Sequence, residues 1–298
     1  MLHRDNSSSL IPKSFFEEHQ SSDVHVFTIL ARILNDPELG KIQEGAEYST
    51  TVRDHGATLA QHMKDWHVNP TNPRDIERKV EELSWLNTLI YAVGGSQPGK
   101  PFNADFILFV CLFHMKKTTD NHAYSLHMLT SSLFLPVYMT FLTPHSKSLL
   151  LRSYLFMSLG WWVARGRPEL NIKAFYEATS AHPIPSGSRP TPHKDSLLSD
   201  DPKAVAPNSW FPIIENAIVH PDEHFAKAQR TFLHYATVYG SREAGLADFK
   251  ETELADADKL DGTLFVRAAA LTDERKIKEG LEPGLGGFWD RYGFFKSK

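Results

Sequence analysis

One cysteine, Cys111, in 298 residues excludes an intrachain disulfide framework and any multi-cysteine zinc or iron–sulfur site. Such sparse usage fits a reducing compartment, and a cytoplasmic location is expected. The chain also lacks an excess of basic charge, with 32 Lys and Arg against 36 Asp and Glu for a net charge of -4. Without a basic field or a lysine cluster, neither nucleic acid nor a membrane surface is an expected partner. Long hydrophobic runs are missing too. The most apolar stretch, Leu133 to Leu142, is interrupted by Pro136 and is too short to span a bilayer. Met1-Leu2-His3-Arg4-Asp5-Asn6 has no apolar core of the kind a secretory signal needs, so export is not expected.

Credible nucleotide fingerprints are absent as well. Gly94 through Lys100 has the spacing of a phosphate-binding loop up to its lysine, but Pro101 stands where a hydroxyl would hold magnesium. The segment before it reads as helix, not strand. Gly284-Leu285-Gly286-Gly287 follows no strand and opens no long helix, which excludes a dinucleotide-binding turn.

What the chain does have is helical periodicity. Apolar spacing predicts helices over Pro12–Leu34, Thr50–Trp66, Asp75–Tyr91 with Asp75 as its cap, Pro144–Gly166, Leu170–Ala181, Trp210–Val219 and Leu260–Thr272. The expected inner stripe of the Pro144–Gly166 helix is Leu150, Tyr154, Met157, Trp161 and Ala164. With 41% hydrophobic residues, no alternating strand series and no Asn-Gly hairpin signal, the expected fold is all-α, a multi-helix bundle-like domain over residues 1–298. Residues 182–209, rich in Pro, Ser, Asp and Lys, are expected to form a flexible surface loop.

The chemistry-bearing stretch is His220-Pro221-Asp222-Glu223-His224-Phe225-Ala226-Lys227-Ala228-Gln229-Arg230. Pro221 suits a first helical position and the two carboxylates suit the positive end of the helix dipole, so a helix is expected to begin at His220 and run to Tyr239. On that helix His220, His224 and Lys227 would share a face, and His234 could join them. Two readings of this face stand side by side. In one, the histidines decorate a solvated first turn, and Lys227 and Arg230 point to water. In the other, imidazoles bind a metal or move protons, and Lys227 is neutral or carried as a carbamate that acts as a carboxylate. His127, which opens an apolar segment ending at Pro136, is either a hydrogen-bonded core residue or a ligand needing partners from elsewhere.

Three stretches together resemble the questin oxidase-like family of fungal enzymes that act on aromatic polyketides such as anthraquinones. They are Asp105-Phe106 with His127–Pro136; Tyr154 with Ala164-Arg165-Gly166-Arg167-Pro168-Glu169-Leu170; and Trp210–Arg230 with its His-Pro-Asp-Glu-His-x-x-Lys core, followed by Tyr239-Gly240. The resemblance implies oxidative ring opening, described either as an NADPH-dependent Baeyer–Villiger-type reaction or as non-heme iron dioxygenation. The iron version implies Fe(II) held by histidines and a carboxylated lysine. Carried onto this chain, His127, His224 and Lys227 are the metal positions, with His220 a further candidate, and Lys227 and Arg230 are the catalytic candidates. The implied partners are an aromatic polyketide and O2. The resemblance also implies that the chain is the C-terminal part of the usual family length, with residues 107–125 an inserted segment. The alternative is a truncated, inactive helical paralogue or interaction protein.

Overall fold

The computed structural model describes residues 23–41, 48–104, 111–112, 125–126, 128–183, 208–275 and 288–290. Several expectations fall outside these residues: the first half of the helix expected from Pro12, nearly all of the 107–125 insert, most of the 182–209 loop, and His127 itself. The described residues are all-α, apart from two-residue strands at Cys111–Leu112 and Ser125–Leu126 that pair antiparallel.

The longer helices are α1 (Val26–Asn35), α2 (Tyr48–Met63) and α3 (Pro73–Gly95). After a short α4 (Met128–Ser131) come α5 (Leu135–Phe141) and α6 (Pro144–Ala164). The chain continues through α7 (Ile172–Ala178), α8 (Trp210–Val219), α9 (Glu223–Tyr239), α10 (Ala247–Lys250) and α11 (Leu264–Asp273). Helix α3 is capped three residues earlier than expected, because Asn72 accepts from the Arg74 N–H as its cap and Pro73 takes the first helical position. Asp75 instead accepts from the Asn69 N–H at 2.6 Å, closing the preceding turn. Helix α6 is capped by Thr143. It ends on Gly166 and Arg167, whose φ values of 100° and 45° turn the chain through the left-handed region.

Helix α3 is the centre of the molecule. It is buried nearly all round from Leu83 onward and packs against α1, α6 and α11. Just before that stretch, Glu82 is only 1% exposed and is anchored by four groups. Its Oε2 accepts from the Val26 N–H at 2.9 Å and the Trp66 indole at 2.7 Å. Its Oε1 faces Arg78 at 3.1 Å and the fully buried Lys79 at 3.4 Å. Lys79 also bonds Asp23 at 2.8 Å and lies over the Trp66 ring. A buried carboxylate is tolerable only when charge and hydrogen bonds replace lost water, and here both do.

The other end of α1 is held by Arg167, which donates to the carbonyls of Ile33 and Asp36 at 2.5 and 2.7 Å. Helices α2 and α6 approach closely at Gly160, where a Cβ would meet the Tyr48 ring at 2.8 Å. Trp161 stacks on Tyr48, and Trp162 is fully buried, so this pair packs as core. One cluster of buried apolar residues joins Val26 to Trp289.

Two stability experiments follow. Glu82→Ala should cost about 3–5 kcal/mol in urea unfolding, because it orphans two buried donors and uncouples Lys79. His25 caps α1 by accepting from the Phe27 N–H at 3.1 Å, and burial pushes its imidazole below the ordinary value. The unfolded chain therefore takes up a proton before the folded one does, and stability should fall as pH drops below about 6.5, ahead of the carboxylate range. His25→Asn, which keeps a cap acceptor without a titrating ring, should flatten that part of the stability–pH curve.

Candidate functional site

The turn between α8 and α9 differs from the expected arrangement in one respect that matters. His220 is not in a helix: its backbone is extended, it ends α8, and α9 begins at Glu223 with Asp222 as N-cap. Asp222 takes the cap because its carboxylate accepts from the His224 N–H at 2.8 Å, while His220 Nδ1 accepts from the Asp222 N–H one step earlier. The shared face of His220, His224 and Lys227 is thus not formed by helical spacing. His220 instead accepts from the Asp222 N–H at 3.1 Å through Nδ1 and stacks on Phe225, with ring centroids 4.1 Å apart. Burial lowers its imidazole pKa.

Asp222 is the hub of this turn. Its Oδ1 receives the His224 ring Nδ1 at 2.8 Å as well as the backbone N–H, and its Oδ2 receives the Trp289 indole at 2.8 Å. Its side chain is 1% exposed. Burial alone would raise its pKa, but hydrogen bonds from the His224 ring and backbone and from Trp289 outweigh that and hold the carboxyl below the usual range. An ionised Asp222 can only accept, so the His224 Nδ1 is the donor, and in the neutral ring Nε2 carries the lone pair. Phe288 packs edge-on against both His220 and Phe225.

On the outer side of the same turn, His224 is 19% exposed and its Nε2 lies 3.9 Å from Glu223 Oε1. Lys227 is 46% exposed and donates from Nζ to Glu223 Oε1 at 2.9 Å, four residues back along the helix. Arg230 and His234 are exposed. Thus His224, Glu223 and Lys227 are neighbours, while Arg230 projects to solvent. Among the described residues, no group of three or more His, Cys, Asp or Glu side chains is gathered to hold a metal ion.

The chain immediately after His127 is well anchored. The Tyr154 hydroxyl donates to the Met128 carbonyl and lies 2.8 Å from Ser131 Oγ, and Tyr235 on α9 pairs with Ser132 Oγ. Burial pushes the Tyr235 phenol up to about 12. This contact on α9 lies three turns beyond His224, about 16 Å along the helix axis.

A family model described as questin oxidase-like matches residues 2–232. This chain belongs to the questin oxidase-like family. The matched span includes His127, Tyr154, the Arg165–Leu170 turn, His220, His224, Lys227 and Arg230, and it stops before Phe288 and Trp289. No curated protein matches the chain. Membership of the questin oxidase-like family points to an oxidoreductase. No described helix is long and apolar enough to cross a membrane.

The roles of Asp222 and Trp289 were not foreseen from the sequence. A signal existed for the first: an aspartate two residues before a histidine at a helix start caps the helix and reaches the ring together. No sequence signal ties Trp289 to that turn across 67 residues. Asp222→Ala should lower the unfolding free energy by about 2–4 kcal/mol, through loss of the cap and an orphaned buried indole. Glu223→Ala should stay within about 0.5 kcal/mol, as its exposed pair with Lys227 is worth little. Thermal unfolding of the two variants in parallel checks the contrast.

Proposed function

We propose that this questin oxidase-like protein is an oxidoreductase that uses dioxygen to open a ring of an anthraquinone-like polyketide, with the chemistry centred on the first turn of α9. The observation that carries this reading is the buried Asp222 carboxylate on His224 Nδ1, which leaves Nε2 as the ligand nitrogen of the neutral ring. A carboxylate behind an imidazole is the usual support of a metal-binding histidine, because it fixes the tautomer and raises ligand basicity. His224 therefore fits a metal.

Lys227 fits one only after modification. As an amine it is bonded to Glu223 and would repel a cation, whereas its carbamate would supply an anionic oxygen. An exposed helical ion pair contributes only about 0.3–0.5 kcal/mol, so releasing Lys227 from Glu223 is a small obstacle. His224, carbamylated Lys227 and His127 would hold Fe(II), with His220 as the further candidate. Ferrous iron would supply the redox chemistry by which dioxygen is activated. The protein's own contribution is to orient His224 through Asp222 and to anchor the chain beside His127 through Tyr154.

A second reading, a helical paralogue without chemistry, is favoured by the exposure of Lys227 and its pairing with Glu223. One experiment separates them. Purified full-length protein, supplied anaerobically with Fe(II) and bicarbonate, should take up iron; Lys227→Ala should lose iron and ring-opening activity, and Lys227→Glu should recover part of the binding. If wild type takes up no iron, or if Lys227→Ala changes neither metal content nor activity and shifts stability by less than about 0.5 kcal/mol, the paralogue reading stands instead.

A further inference from the structure

We infer that Asp222 and Trp289 act as a positioning pair, in which the tail residue Trp289 locks the carboxylate that sets the tautomer of His224. The inference deepens the proposed function and rests on its placement of His224 in the site. It draws on a residue outside the span that the family model matches.

The argument is one of donor and acceptor count. Three N–H groups converge on the two oxygens of Asp222: the Trp289 indole on Oδ2, and the His224 backbone and ring on Oδ1. The indole is an obligate donor, as is the backbone amide, so each oxygen has a partner that can only donate. The carboxylate is therefore fixed in rotation, and Oδ1 is left aimed at the imidazole. With Nδ1–H committed there, the lone pair is confined to Nε2, on the side of the ring where Glu223 lies at 3.9 Å and Lys227 beyond it.

Trp289 is itself clamped. Its ring is 1% exposed, Phe288 packs on it edge-on, and the next N–H, of Asp290, bonds the Ala104 carbonyl at 3.0 Å. Arg275 donates to the Phe288 carbonyl at 2.5 Å and pairs with Asp290 at 3.3 Å. Residues 288–290 thus form a short tie that holds the indole against the start of α9. A tryptophan serving only as filler would have no need to place its single N–H on the carboxylate that also bonds the histidine.

The test reads the tautomer directly. Histidine side chains are labelled with ¹⁵N in the full-length protein, and two-bond ¹H–¹⁵N correlations are recorded at alkaline pH, above the ordinary imidazole value of about 6.5. Wild type should show His224 protonated at Nδ1. In Asp222→Asn a single amide oxygen replaces the two carboxylate oxygens that serve three N–H groups, so the Nε2–H form should appear. Adding Trp289→Phe removes the competing indole donor and should return His224 to the Nδ1–H form.

Cobalt(II), added under anaerobic conditions as an optical probe, should bind about 10–100-fold more weakly to Asp222→Asn than to wild type. An Nε2–H tautomer in wild type, or no change in Asp222→Asn, overturns the inference, and wild type alone decides it if the variants do not fold. If the double variant keeps the Nε2–H form, the part assigned to Trp289 is wrong. An Nδ1–H tautomer with the expected variant pattern but no cobalt binding sustains the positioning pair while removing the metal reading.

Discussion

The structure depends most on the buried charge at Glu82. A carboxylate on the central helix supplies the hydrogen bonds that the first amide of α1 and the Trp66 indole would otherwise lack. Two cations, one fully buried, make its own burial tolerable. Three parts of the chain meet there: the start of α1, Trp66 just after α2, and the Arg78–Glu82 stretch of α3 that carries the carboxylate and both cations. Hydrophobic packing is non-directional, so it can bring helices together without choosing their register. A buried ion network can choose, because only one arrangement satisfies every donor.

The helices were largely legible in the sequence because each carries its own periodicity and punctuation. The spans from Thr50, Pro144, Trp210 and Leu260 lie within a few residues of α2, α6, α8 and α11, since apolar spacing reports which face is buried regardless of what buries it. Boundaries were harder. Asp75 and His220 both look like helix starts, and in each case a neighbour with better cap geometry takes the role. The difference is decided by single hydrogen bonds, which spacing does not encode.

The candidate site was legible in a different way. The stretch from His220 to Arg230 stood out by residue type, yet its internal geometry did not follow from an assumed helix. His220 lies outside the helix, Lys227 is bonded to Glu223, and Asp222 is the organising group. Contacts made by distant residues are the general blind spot. Arg167 holding the end of α1 and Trp289 reaching Asp222 depend on the assembled fold, so no local pattern announces them.

Asp222 performs two tasks with one carboxylate: it starts α9 and it grips the His224 ring. The two tasks expose it to two kinds of selection. A lineage that abandoned the chemistry would still be penalised for losing the helix cap, so drift at this position would be slow even without a substrate to turn over. Persistence of the aspartate among relatives is therefore a poor marker of retained activity. The exposed Lys227, whose ion pair with Glu223 is worth little to the fold, is where decay of function would first leave its trace.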